Sequence, residues 1–196
     1  MFYRIVRALV TVFLKVFNSW EIEGKENIPK DGPVVLVGNH ISNWDPLFMA
    51  CSVDRVVHFM AKEEIFRFKL FKYVLTGLLC FPVKRGKVDR NALRIAAAYL
   101  ENNEVLGMFP EGTRSKTSEM LPFQPGAAMF ALRSNAVIVP VAMIGTRTSF
   151  PATIRGRVKV HIGTPLVYPE FKDAKTNNED LIRVTEDMTE SIRKML

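Results

Sequence analysis

An α/β fold is what this sequence predicts: a single domain with a largely parallel mixed sheet flanked by helices, preceded by an amphipathic N-terminal helix. Three observations carry that expectation. Short apolar runs rich in β-branched residues recur along the chain, helical periodicity fills several of the intervals between them, and no Gly/Ser/Pro-rich linker or fixed-period repeat divides the 196 residues. A chain of this length buries roughly two-thirds or more of the surface its unfolded form exposes, so one core suffices.

The first element is M-F-Y-R-I-V-R-A-L-V-T-V-F-L-K-V-F-N-S-W. Phe2, Ile5, Val6, Leu9, Val10, Phe13, Leu14, Phe17 and Trp20 follow i, i+3, i+4 spacing, and Arg4, Arg7, Thr11, Lys15 and Asn18 take the opposite side. A helix lying in the headgroup layer of a membrane has this pattern; packing of the apolar face on the protein's own core is the alternative. The longest uncharged run, Ala8 to Leu14, falls far short of the ~20 apolar residues a span needs. No small-x-small cleavage site follows before W-E-I-E-G, so neither a crossing helix nor a secretory signal is expected. Residues 1–20 are therefore read as a membrane-surface helix and 21–196 as the folded domain.

Strand-like runs follow at Glu21–Glu23, Val34–Val37, Val56–Ala61, Leu78–Val83, Val105–Phe109, Ala136–Ala142 and Val158–Ile162. Between them, helical patterns are expected from Asp45-Pro46 to about Val53, from Glu63 to Thr76, from Asp89 to Glu101 and from Gly126 to Ser134. A last amphipathic helix, Asn178 to Met195 with Leu181, Met188 and Ile192 inward, closes the domain. Alternation of this kind means parallel strands joined by helical crossovers. In such sheets ligands sit beyond the carboxyl ends of the strands. Three polar stretches follow strands here, G-N-H-I-S-N-W-D-P, K-R-G-K and P-E-G-T-R-S, and so are expected on one rim.

The net charge of +7 is segregated. Residues 62–94 hold nine Lys/Arg against three acids, and residues 1–20 carry Arg4, Arg7 and Lys15 with no acid. An anionic partner suits this distribution. Nucleic acid is not expected, because no recognition motif accompanies the charge. Cys51 and Cys80 lack C-x-x-C spacing, and His40, His58 and His161 lack metal-ligand spacing, so a reducing compartment and no bound metal are expected.

Chemistry concentrates in three stretches. In N-H-I-S-N-W-D-P, Asp45 before Pro46 is a good helix start whose carboxylate can cap free amides. The same carboxylate can hold one nitrogen of His40 and leave the other free to take a proton, the His-Asp part of a triad. No G-x-S-x-G accompanies it, so a catalytic dyad here implies that the nucleophile is a hydroxyl of the substrate. In M-F-P-E-G-T-R-S, Gly112 permits close backbone approach and Arg114 offers a planar fork matched to phosphate oxygens. In F-P-V-K-R-G-K-V-D-R, Lys84 and Arg85 stand at another strand end; solvated surface charge is the ordinary explanation of such a run, for Lys87 and Arg90 more than for Arg85.

Taken together and in this order, these stretches resemble the glycerolipid acyltransferase family, most closely its bacterial 1-acyl-sn-glycerol-3-phosphate acyltransferases. N-H-x-x-x-x-D is present as Asn39, His40 and Asp45; the hydrophobic strand ending in arginine as Phe81 to Arg85; F-P-E-G-T-R-S without change from Phe109 to Ser115; and a V-P-V run as Val139 to Val141. The resemblance covers roughly residues 20–165. It implies a glycerophosphate acyltransferase-like fold and acyl transfer from an acyl thioester, acyl-CoA or acyl carrier protein, to the sn-2 hydroxyl of lysophosphatidic acid, with no cofactor. It further implies His40 as general base, Asp45 as its orienting partner, and Asn39, Arg85, Glu111, Gly112, Thr113 and Arg114 as acceptor-binding residues. The setting implied is peripheral, on the cytoplasmic face of a membrane, with membrane lipids as partners. Two departures stand out: F-Q-P-G with Gln124 where many members have F-K-x-G, and Lys84 where an acid often precedes the arginine. They leave open an acyltransferase for another lysolipid or for glycerol-3-phosphate; a non-catalytic lipid-binding protein is the alternative of a different class.

Overall fold

Four consecutive apolar residues, Val34 to Val37, are completely buried, and the strand they form lies at the middle of the sheet. A computed structural model describes residues 1–84, 89–117, 119–172 and 175–196. Among them run strands β1 (Asn18–Glu23), β2 (Val34–Gly38), β3 (Val57–Lys62), β4 (Phe81–Val83), β5 (Val105–Met108), β6 (Val137–Ile144) and β7 (Gly156–Ile162). They form one sheet in the order β1-β7-β6-β2-β5-β3-β4. Every neighbouring pair is parallel except β6 with β7. The helices are α1 (Phe2–Phe17), α2 (Asp45–Ser52), α3 (Lys69–Gly77), α4 (Arg90–Glu101), α5 (Gly126–Arg133) and α6 (Asn178–Arg193).

Side-chain alternation along β2 explains the layers. Val35 and Val37 join a core with Ala92, Ala96 and Leu100 of α4, with α5, and with Val184, Met188 and Ile192 of α6. Val34 and Leu36 face the other way, toward Leu14 of α1 and Phe48 and Met49 of α2. Because consecutive residues of a strand point to opposite faces, a run with no polar residue requires cover on both sides, which these helices provide.

Helix α1 packs one side on the core and leaves a second apolar side exposed. Leu14 is fully buried, and the Tyr3 hydroxyl accepts the amide of Val57 at the start of β3 (3.2 Å). Arg7, expected on the polar side, turns inward and donates to the carbonyls of Val53 (2.8 Å) and Asp54 (3.1 Å). A second stripe, Phe2, Ile5, Leu9, Val12 and Val16, stays exposed. No helix among the described residues is long and apolar enough to cross a membrane.

Three boundaries differ notably from the patterning. Asn18, Ser19 and Trp20, read as the end of the N-terminal helix, instead open β1, where they pair with Gly156, Arg157 and Val158 of β7. The helix expected over Glu63–Thr76 is interrupted: Glu63–Arg67 form a 3-10 turn, Phe68 is extended, and α3 starts at Lys69. The strand expected from Leu78 starts at Phe81, because α3 closes first. Leu79 adopts φ 60°, its amide donates to Thr76, and that of Cys80 donates to Leu75. Helices α4 and α5 end the same way, with the left-handed residue being Asn103 and Asn135. Asparagine announces such an end; a leucine inside T-G-L-L-C does not.

Candidate active site

β2 is hydrogen-bonded to β5 on one side and β6 on the other, both parallel to it, so three carboxyl ends lie side by side. The segment after β2 carries His40 and Asp45, the segment after β5 carries Phe109 to Ser115, and the turn after β6 carries Thr146. Ligand sites of open α/β sheets occupy this edge.

His40 Nδ1 lies 2.8 Å from Oδ2 of Asp45. The same oxygen accepts the amides of Ile41 and Ser42, each at 2.7 Å, and Oδ1 accepts the hydroxyl of Thr146 at 2.5 Å. Asp45 is 0% exposed. An acid turned forward would cap α2; this one turns back onto the preceding loop, and α2 has no side-chain cap. A carboxylate only accepts, so Nδ1 carries the proton and Nε2 keeps its lone pair. Nε2 has no hydrogen-bond partner among the described residues, and the imidazole stacks on Phe109 with centroids 4.3 Å apart.

Glu111 joins the two loops. Its Oε1 accepts the amide of His40 at 2.6 Å and its Oε2 that of Leu121 at 3.1 Å, while the amide of Ser115 donates to the His40 carbonyl at 2.8 Å. Burial pushes the Glu111 carboxyl above its ordinary range, against the pull of the two amides that donate to it. The F-P-E-G-T-R-S block thus braces the histidine's backbone from outside β2.

Several residues expected to hold substrate do other work. Asn39 is buried: its Nδ2 donates to the Met143 carbonyl (3.0 Å) and its Oδ1 accepts the Met143 amide (2.7 Å), so it pins the end of β2 to β6. Glu111 is likewise turned inward and occupied. Gly112 has φ 67°, the left-handed region that favours glycine, and no described atom stands within 4 Å of where a Cβ would be. Thr113 and Arg114 are exposed after that turn, and Arg114 makes no hydrogen bond or ion pair among the described residues. Arg85 lies outside the described residues. Phe109 and Thr146 were not singled out from sequence. Phe109 stood inside a block already noticed; Thr146, 101 residues beyond Asp45, had only the preceding glycine as a signal.

Neither thiol is placed as a nucleophile. Burial pushes the Cys51 thiol up and that of Cys80 up to about 11, which keeps both protonated and unreactive at neutral pH.

An imidazole held by an acid at the carboxyl edge of a mostly parallel sheet, its other nitrogen meeting no hydroxyl or thiol among the described residues, can serve as base to a substrate's own hydroxyl. Residues 19–144 match the family model described as Acyltransferase, and the chain belongs to the acyltransferase family. It is similar to the 1-acyl-sn-glycerol-3-phosphate acyltransferase of Bacillus subtilis (strain 168), with 29% identity over 98% of this chain and 96% of that protein. It is also similar to the protein of the same name from Streptococcus pneumoniae (strain ATCC BAA-255 / R6), with 30% identity over 92% of this chain and 68% of that one. Among solved structures it resembles the crystal structure of the 1-acyl-sn-glycerophosphate (LPA) acyltransferase PlsC from Thermotoga maritima. The TM-score is 0.76 at 27% identity, covering 98% of this chain and 80% of that one.

The direction of the Glu111 shift fixes a pH effect. The folded chain holds this proton more tightly than the unfolded chain does, so its stabilising contribution is complete below about pH 4.3, the unfolded carboxyl range, and is lost as pH rises through the folded value. Glu111→Gln does not titrate. In chemical denaturation at a series of pH values, the unfolding free energy of wild type minus that of this variant is expected to fall as pH rises through that window; a rise there contradicts the placement.

Proposed function

We propose that this chain transfers an acyl group from an acyl thioester, carried by coenzyme A or acyl carrier protein, to the sn-2 hydroxyl of lysophosphatidic acid, giving phosphatidic acid. The observation that carries this reading is the imidazole of His40, anchored through Nδ1–H to a buried Asp45 and free at Nε2, on the edge where Arg114 is exposed. The names of the full-length relatives support the acceptor.

In this mechanism Nε2 takes the proton of the sn-2 hydroxyl as its oxygen attacks the thioester carbonyl. Asp45 stabilises the positive charge that the imidazole gains. A carbon–oxygen bond forms, the tetrahedral intermediate collapses, the carbon–sulfur bond breaks, and the departing thiolate takes the proton back from His40. Arg114, joined by Arg85, holds the acceptor's phosphate as a planar donor fork. Glu111 and Asn39 act through the loop that carries His40.

The acceptor and product stay in a bilayer, since each buried methylene holds them there by about 0.8 kcal/mol. The exposed stripe Phe2, Ile5, Leu9, Val12 and Val16 is the surface that takes the enzyme to them. Tyr73 of α3 extends it, its ring in edge contact with Phe2 at 6.1 Å, and Arg4 and Lys15 flank it. The protein on this reading is peripheral, on the cytoplasmic face where the thioester donors are made.

Two outcomes are expected. In a thioester-consumption assay with lysophosphatidic acid, His40→Ala lowers turnover by about 10² or more; retention within about tenfold of wild type would remove the base. In sedimentation with phosphatidic acid-containing vesicles, Leu9→Glu and Val12→Glu each weaken binding by about tenfold or more, with circular dichroism checking that the helix persists; unchanged binding would leave α1 without the membrane role.

A further inference from the structure

We propose that Thr146 is a positioning residue for the base: its hydroxyl sets the plane of the Asp45 carboxylate and through it the aim of His40. The proposal rests on the acyltransferase reading above.

The three donors from the β2 loop all converge on Oδ2 of Asp45. A carboxylate pinned at one oxygen still swings about that point. A donor on the other oxygen removes the swing, and Thr146 Oγ1 is that donor, fully buried and 2.5 Å from Oδ1. A buried threonine hydroxyl needs some partner, and a local carbonyl is the usual one. Thr146 instead reaches a carboxylate on a different segment, the one that holds the imidazole.

The hydroxyl is placed by its own backbone. Gly145 has φ 75° and ψ 0°, and a Cβ there would stand 2.1 Å from the Arg157 carbonyl oxygen, so only glycine lets β6 turn at this point. The Ser149 hydroxyl then donates to the Thr146 carbonyl at 2.6 Å. The amide of Phe150 donates to Oδ1 of Asn18 at 3.0 Å, and Asn18 Nδ2 donates to the Leu14 carbonyl at 3.1 Å. The turn that carries Thr146 is thereby tied to the end of α1.

The test compares Thr146→Val, which keeps the shape and loses the donor, with Thr146→Ser, which keeps the donor. With lysophosphatidic acid and an acyl thioester, the valine variant is expected to lose about tenfold to a hundredfold in kcat, with KM for the acceptor within about twofold of wild type. Serine restores kcat to within about threefold. In an Asp45→Asn background the valine change adds less than about twofold, because its route to the reaction is gone. The downfield proton signal of His40 Nδ1–H, expected in wild type and the serine variant, is lost to solvent exchange in the valine variant. Thr146→Ala takes the place of valine if the latter does not fold. Equal losses in both backgrounds, no loss, or an unchanged Nδ1–H signal overturn the proposal. Absence of acylation by wild type overturns the reaction instead, and the proton signal then still decides what Thr146 does.

Discussion

Everything at the carboxyl edge of this sheet is arranged around one buried charge. A carboxylate removed from water costs several kcal/mol unless its lone pairs are met. Asp45 meets that cost with four donors: two backbone amides, an imidazole N–H and a threonine hydroxyl. The consequence is conformational. Segments following two different strands must take the shapes that bring those donors in, and the imidazole is left with one nitrogen committed and the other available.

The topology makes this arrangement accessible. With β2 between β5 and β6 and parallel to both, the three loops need only short reaches to meet. Each is fastened to the next by a polar side chain whose partner is backbone. Asn39 ties β2 to β6, and Glu111 ties the loop after β5 to the amide of His40. The rim therefore divides into an inner ring that fixes His40 and an outer group of exposed residues, Thr113 and Arg114. Aromatic contacts connect the rim to α1: Phe13 stacks with Trp44, next to Asp45, and Phe17 meets Phe150, close to Thr146. The helix that presents an apolar stripe outward is thus the one packed against the loops that carry the base.

The strands and most helices were legible because burial on both faces demands unbroken apolar runs, and amphipathic helices demand a 3.6-residue period. What escaped was set by interactions with no local signature. Leu79 ends a helix in a left-handed conformation that its side chain does not advertise, so a strand was expected there too early. Arg7 reads as polar surface until the carbonyls of Val53 and Asp54, on the segment after α2, supply its partners. At the site, the spacing of His40 and Asp45 allowed a pairing as well as a helix cap, and the family resemblance favoured the pairing that the structure shows. The inward roles of Asn39 and Glu111 did not, because a polar residue beside a base looks the same in sequence whether it faces a ligand or the main chain. Thr146 was hidden by distance along the chain: strand order, which periodicity does not encode, is what brings it to Asp45.

A crystal structure of the protein with lysophosphatidic acid bound, determined in the absence of thioester, measures the central relation without intermediaries. The account predicts the sn-2 oxygen within about 2.6–3.2 Å of His40 Nε2, with the phosphate on the side of Arg114 and the Asp45 contacts unchanged. An acceptor bound with that oxygen remote from Nε2, or a histidine turned away from Asp45 in the complex, would contradict it.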